Sequence, residues 1–164
     1  MATKGILGKD RLLEAKSIIH NDNLLSDILD LRGSTAVFSK TDTQTTIYQG
    51  VSVVKFNKTD YIENGVFTLN SDGTIKVNKN ISKVLVTINA RVNGDLTIYV
   101  NGNSGGFNCE KIGASISEII LNGSGIIDVS QGSNISITAY GIGEGAALVG
   151  HDRNWFGINL MVIK

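Results

Sequence analysis

The chain has 164 residues, 41% of them hydrophobic, with 15 basic and 15 acidic side chains and a formal charge of +0. That composition supports one packed domain with an appendage, and the balanced charge excludes a nucleic-acid binder, which needs an excess of phosphate-neutralising cations. There is no apolar run of about 18 residues to span a membrane, and Met1 to Asp10 lacks the apolar core of a signal peptide.

Asp10 can cap a helix over Arg11 to Ile19, in which Leu12, Ala15 and Ile19 share a face. Asn21-Asp22-Asn23 interrupts it and offers a second N-cap. Leu24, Ile28 and Leu31 then form another apolar stripe, and Gly33 stands where a C′ glycine belongs. Helices this short need something to pack on. They either fold back on the rest of the chain, form a three-helix bundle, or plug into a larger assembly. Residues 1–33 are thus expected to be a helical anchor, with Leu12, Ile19, Leu24, Ile28 and Leu31 as its contacts. Residues 34–60, polar and Thr-rich, read as a linker or stem, and residues 61–164 as a β-knob.

In the knob, Phe67 and Leu69 lead through Asn70-Ser71-Asp72-Gly73 into Ile75 and Val77, a hairpin pattern. Val84, Val86, Ile88, Ala90 and Val92 make the clearest period-two run. Asn93-Gly94 follows, a pair suited to a type I′ turn, and predicts a hairpin into Leu96, Ile98 and Val100. Further strands are expected at Ile116 to Leu121, at Ile126 to Val129, and over Ile135, Ile137 and Ala139. The ending is apolar on both faces, since Phe156, Ile158, Leu160 and Val162 alternate with Gly157, Met161 and Ile163. A sandwich strand needs only one apolar face, so the second asks for another chain. With 19 glycines and no proline, glycine must make the tight turns. Many short strands between such turns predict a mainly β, antiparallel jelly-roll sandwich.

Several residue patterns carry chemistry elsewhere and do not here. Gly102-Asn103-Ser104-Gly105-Gly106 matches a nucleophile elbow, with Asp128 and His151 following in order, but the elbow needs a helix after it and Phe107 to Lys111 reads as strand. Gly141-Ile142-Gly143-Glu144-Gly145-Ala146 fits a dinucleotide-binding pattern with no βαβ unit around it. His20 and His151 lack ligand-spaced partners, so neither zinc nor any other cofactor is expected. Cys109, the single cysteine, excludes an intrachain disulfide framework and suits a small buried hydrophobe. The sequons at Asn57, Asn80, Asn122 and Asn134 follow from an Asn- and Ser-rich composition. His151-Asp152-Arg153-Asn154-Trp155 is the one polar cluster with an aromatic face. It reads either as a saccharide contact or as an intersubunit seam in which Trp155 packs and Asp152 pairs with Arg153.

The stretch from Gly65 onward resembles the trimeric jelly-roll heads of the tumour-necrosis-factor and complement type. The likeness rests on the run Val84 to Val92 before Leu96-Thr97-Ile98-Tyr99-Val100-Asn101-Gly102, on Gly125 to Ile137, and on the closing Trp155-Phe156-Gly157-Ile158-Asn159-Leu160. It departs from the family at Ser133, where an acidic residue is common, and it lacks a collagen-like or membrane stalk. The resemblance implies a homotrimer with the last strand near the threefold axis, and Trp155, Phe156, Ile158, Leu160, Met161 and Ile163 at the core and seam. The helix–stem–knob plan is also similar to virion-surface proteins of tailed bacteriophages. It implies a non-enzymatic capsid decoration or head fibre, made in the host cytoplasm and held on a capsid or baseplate protein through the N-terminal helices. The alternative is a receptor-binding protein or lectin-like adhesin that recognises a host-surface saccharide.

Overall fold

A computed structural model describes residues 31–102, 106–111, 118–150 and 156–164, and the backbone of residues 19–20 and 23–24. In chain order its strands are β1 (Ile19–His20), β2 (Asn23–Leu24), β3 (Thr35–Ser39), β4 (Gln44–Thr45), β5 (Val51–Val53), β6 (Lys58–Ile62), β7 (Phe67–Leu69) and β8 (Ile75–Val77). They continue with β9 (Lys83–Asn93), β10 (Leu96–Asn101), β11 (Gly106–Lys111), β12 (Ile119–Asp128), β13 (Asn134–Gly141), β14 (Ala147–Leu148) and β15 (Gly157–Val162).

Two antiparallel sheets stack around one core. The seven-stranded sheet runs β4-β14-β9-β15-β3-β6, with β12 on the other edge of β9; the six-stranded sheet runs β11-β10-β13-β8-β7, with β5 also on β13. Period two decides which side chains enter. On β9, Val84, Val86, Ile88, Ala90 and Val92 are fully buried, and they meet Ile98, Val100, Ile135, Ile137 and Ala139 of the opposite sheet in one apolar cluster. The expected hairpin of β7 and β8 forms, pairing Phe67 with Val77 and Leu69 with Ile75.

Four expectations are corrected. Ile19 and Leu24 are not helical: β1 and β2 pair antiparallel, Ile19 opposite Leu24, across the turn-favouring Asn21-Asp22. Leu31 has helical conformation, and Gly33 follows with φ +81°. Leu31 packs against the sandwich's own core. Leu12 and Ile28 lie outside the described residues, and Leu31 is the one residue of helical conformation among those described.

Residues 34–60 are not a stem. β3 lies inside the seven-stranded sheet between β15 and β6, with Ala36 and Phe38 fully buried, and β5 joins the six-stranded sheet. Single apolar residues at alternate positions between threonines and serines suffice for a half-buried strand.

The Asn93-Gly94 hairpin does not form. β9 and β10 belong to different sheets, and Gly94 (φ +74°) turns the corner between them while Asn93 lacks the positive φ of a type I′ turn. Gly94 faces Ala146, whose Cα would lie 2.8 Å from any added Cβ.

Residues 119–128 are one continuous strand and not two, paired along the length of β9 from Ile119 opposite Val92 to Asp128 opposite Lys83. Gly123 and Gly125 lie within it as strand residues.

Candidate functional site

The alternation on β15 separates two sets of residues that the sequence joins. Phe156, Ile158 and Leu160 are inside the sandwich, at most 1% exposed, so they build the core and not an intersubunit seam. The Phe156 ring meets Phe56 edge-on, 5.9 Å between centroids. Met161, 39% exposed, faces outward, and Ile163 is half-buried just beyond the strand.

The register assembles an apolar surface around Met161. Across β3, β15, β9 and β12 one row reads Thr35, Met161, Leu85, Ile126. The adjacent row across β6, β3, β15, β9 and β12 reads Tyr61, Val37, Asn159, Thr87, Ser124. A groove runs over Thr35, Val37, Leu85, Thr87, Asn159 and Met161. Ile126 is 57% exposed, and Tyr61 and Ile120 are exposed on the same face. Charge is confined to its margin, where Lys83 pairs with Asp128 at 2.6 Å and Arg91 with Glu118. Leu85, Ile126, Val37 and Tyr61 were missed by sequence reasoning. The usable signal was Leu85, an apolar residue on the polar phase of the period-two run.

A buried lysine anchors a polar cluster at one end of the sandwich. Lys40 is 1% exposed, and its Nζ donates to Asp42 Oδ1 at 2.8 Å and to the Lys55 carbonyl at 3.1 Å. Asp42 Oδ1 also accepts from Asn57 Nδ2. The hydrogen bond from Lys40 holds the Asp42 carboxyl below its ordinary range, against a smaller opposing effect of burial, with the ammonium charge helping. The cluster ties the loop after β3 to the loop between β5 and β6, and Gly150 packs directly on the Asp42 backbone.

The strand, turn and helix of a nucleophile elbow are not found among the described residues around Gly102 and Gly106. Strand β10 returns as antiparallel β11, Asn101 opposite Gly106, so no helix follows the loop between them. Asp128 is engaged by Lys83 at the end of β12. Cys109 packs half-buried against the core, and burial pushes its thiol pKa up. Among the described residues no three His, Cys, Asp or Glu side chains gather to hold a metal. His151, Asp152, Arg153, Asn154 and Trp155 lie outside the described residues.

No family model and no curated protein matches the sequence. Solved structures do resemble it. Murine APRIL superposes with a TM-score of 0.61 over 80% of this chain and 100% of its own, at 11% identity. The globular domain of zebrafish complement 1qA gives 0.58 over 80% and 98%, at 14% identity. The Eiger tumour necrosis factor of S. frugiperda gives 0.56 over 81% and 94%, at 12% identity. At such identities the likeness speaks for the fold alone: an antiparallel jelly roll of the tumour-necrosis-factor and complement type.

Proposed function

We propose that this chain is a non-enzymatic, self-associating jelly-roll head, a homotrimer whose copies cover the outward face of the seven-stranded sheet. The observation that carries the reading is the row Met161, Leu85, Ile126 with neighbouring Val37 and Tyr61, an apolar strip in the middle of a sheet face where solvent would favour polar residues. The inner face of the same strands already has its partner in the core, so a second copy is the natural cover. Met161 and Ile163 keep their place at the seam; Phe156, Ile158 and Leu160 support it from behind. Light scattering at micromolar concentration tests this directly: three times the chain mass is expected, and the monomer mass would overturn it.

The finer reading is a bacteriophage virion-surface protein, a capsid decoration or head fibre. What supports it is a β-sandwich head with a single cysteine, preceded by some thirty residues that include the apolar Leu12, Leu13, Ile18 and Ile28. Immunogold labelling of intact particles with antibody against the knob tests it. Gold over the head is the expected result. Gold at the tail tip favours the receptor-binding alternative, and absence of gold overturns the virion reading.

A further inference from the structure

The outward face of the six-stranded sheet, on the opposite side of the sandwich, has a different chemistry. Across β5, β13, β10 and β11 one row reads Val53, Thr138, Tyr99, Asn108, and the next Val51, Tyr140, Thr97, Glu110. Tyr99 and Tyr140 are therefore diagonal neighbours on adjacent strands, close enough for their rings to form one patch. Ser136 and Asn101, opposite each other, border them on the far side. Tyr99 is 40% exposed, and Val51 and Val53, on β5 beyond β13, are 60% and 40% exposed.

We propose that this face binds a neutral saccharide chain. A solvated sheet face is usually charged, yet here charge is confined to the margins, with Lys55 beyond Val53 and Lys76 opposite Asn134 along one edge and Glu110 on the other. An anionic ligand would find no cation among the tyrosines and their strand neighbours Thr138, Thr97 and Asn108. A pyranose ring presents an apolar C–H surface and a rim of hydroxyls. The tyrosine rings and the two valines match the first, and the amides of Asn101 and Asn108 with the hydroxyls of Ser136, Thr138 and the tyrosines match the second. A protein partner would find no deep apolar anchor on this face, whereas a flat sugar chain needs none. The site uses none of the residues His151 to Trp155, and it does not depend on self-association, which uses the opposite sheet.

Native-gel electrophoresis of the full chain in the presence of dissolved dextran, galactomannan, mixed-linkage β-glucan or glycol chitin tests it. Retardation by at least one polymer is expected. Tyr99→Ala or Tyr140→Ala should weaken it by roughly two- to tenfold in Kd, the scale of one ring-face contact. Tyr99→Phe should stay near wild type, and Tyr61→Ala on the other face and Trp155→Ala should not matter. Asn108→Ala, exposed on the same row, provides a variant that leaves the tyrosines and the fold intact, and it too should weaken binding. No retardation by any of the four polymers would overturn the proposal. So would retardation that survives Tyr99→Ala and Asn108→Ala but is lost in Trp155→Ala.

Discussion

Gly125 and Phe107 are fitted to each other across the sandwich. Gly125 lies on β12 opposite Val86, facing inward, and a Cβ there would come 2.5 Å from Cδ1 and 3.0 Å from Cγ of the Phe107 ring. Gly123, two residues earlier, would meet the same ring at 3.1 Å. Two glycines in a strand cost backbone entropy and β propensity. Here they make the slot that lets an aromatic side chain of β11 lie against the seven-stranded sheet.

Gly125→Ala is accordingly expected to destabilise the fold by about 1–3 kcal/mol through overpacking. Gly123→Ala should cost less, because its contact is longer. Phe107→Leu in the Gly125→Ala background should recover part of the loss, giving a favourable coupling in a double-mutant cycle. Urea unfolding of the four proteins measures it; strict additivity would show that the glycines serve some other purpose.

The two faces of β15 predict two separate phenotypes. Ile158→Ala empties a fully buried position and should cost about 2–5 kcal/mol. Met161→Glu and Leu85→Glu place charge on the outward strip and should reduce the scattering mass to that of one chain while circular dichroism keeps the β signature. A folded Met161→Glu protein that still runs as a trimer would move the seam elsewhere.

Acid should weaken the fold through Asp42. Its folded pKa lies below the ordinary 3.8 because Lys40 donates to it. A depressed carboxylate contributes stability that is fully present above its unfolded pKa and is lost as pH falls through the folded value. The loss therefore begins below about pH 4 and continues downward as the buried Lys40 loses its counter-charge. Asp72, lowered chiefly by the Thr74 hydroxyl and amide, acts in the same window. Urea midpoints from pH 6 to pH 2 should fall more gently in Asp42→Asn than in wild type, with a residual slope from Asp72. Superimposable curves would remove Asp42 from the account.

How far the fold could be read from the chain depended on how local each decision was. The β7–β8 hairpin was legible because Asn70 to Gly73 turns it within a few residues, with Gly73 at φ +89°. The burial of β9 was legible from strict alternation. Asn93-Gly94 misled because a corner between sheets and a hairpin use the same glycine; Ala146, more than fifty residues away, decides between them. The strand of residues 119–128 is expected as two because the reason for Gly123 and Gly125 within it is Phe107, on another strand. The outward strip was half legible. Met161 announced itself in a doubly apolar ending, whereas Ile126 joins it only through a register that pairs it with Leu85.

Gln44 shows how such a distant dependence can be tested with one side chain. Its backbone belongs to the seven-stranded sheet, opposite Leu148, yet its amide reaches the free edge of β5 in the other sheet. There Nε2 donates to the Val53 carbonyl at 2.7 Å, and Oε1 accepts from the Lys55 amide at 3.0 Å. The side chain thus takes the place of a neighbouring strand and closes an edge that would otherwise be open to pairing with other chains. Gln44→Ala should lose about 1–2 kcal/mol, two partly solvated hydrogen bonds, and Gln44→Glu should lose more, because a carboxylate oxygen would then face the Val53 carbonyl without a donor. Amide exchange at Lys55 is the local readout. It should quicken in both variants while the amide of Val54, bonded to Ile137 on the other side of the strand, stays protected. Unchanged exchange at Lys55 would mean that the edge is closed by something other than Gln44.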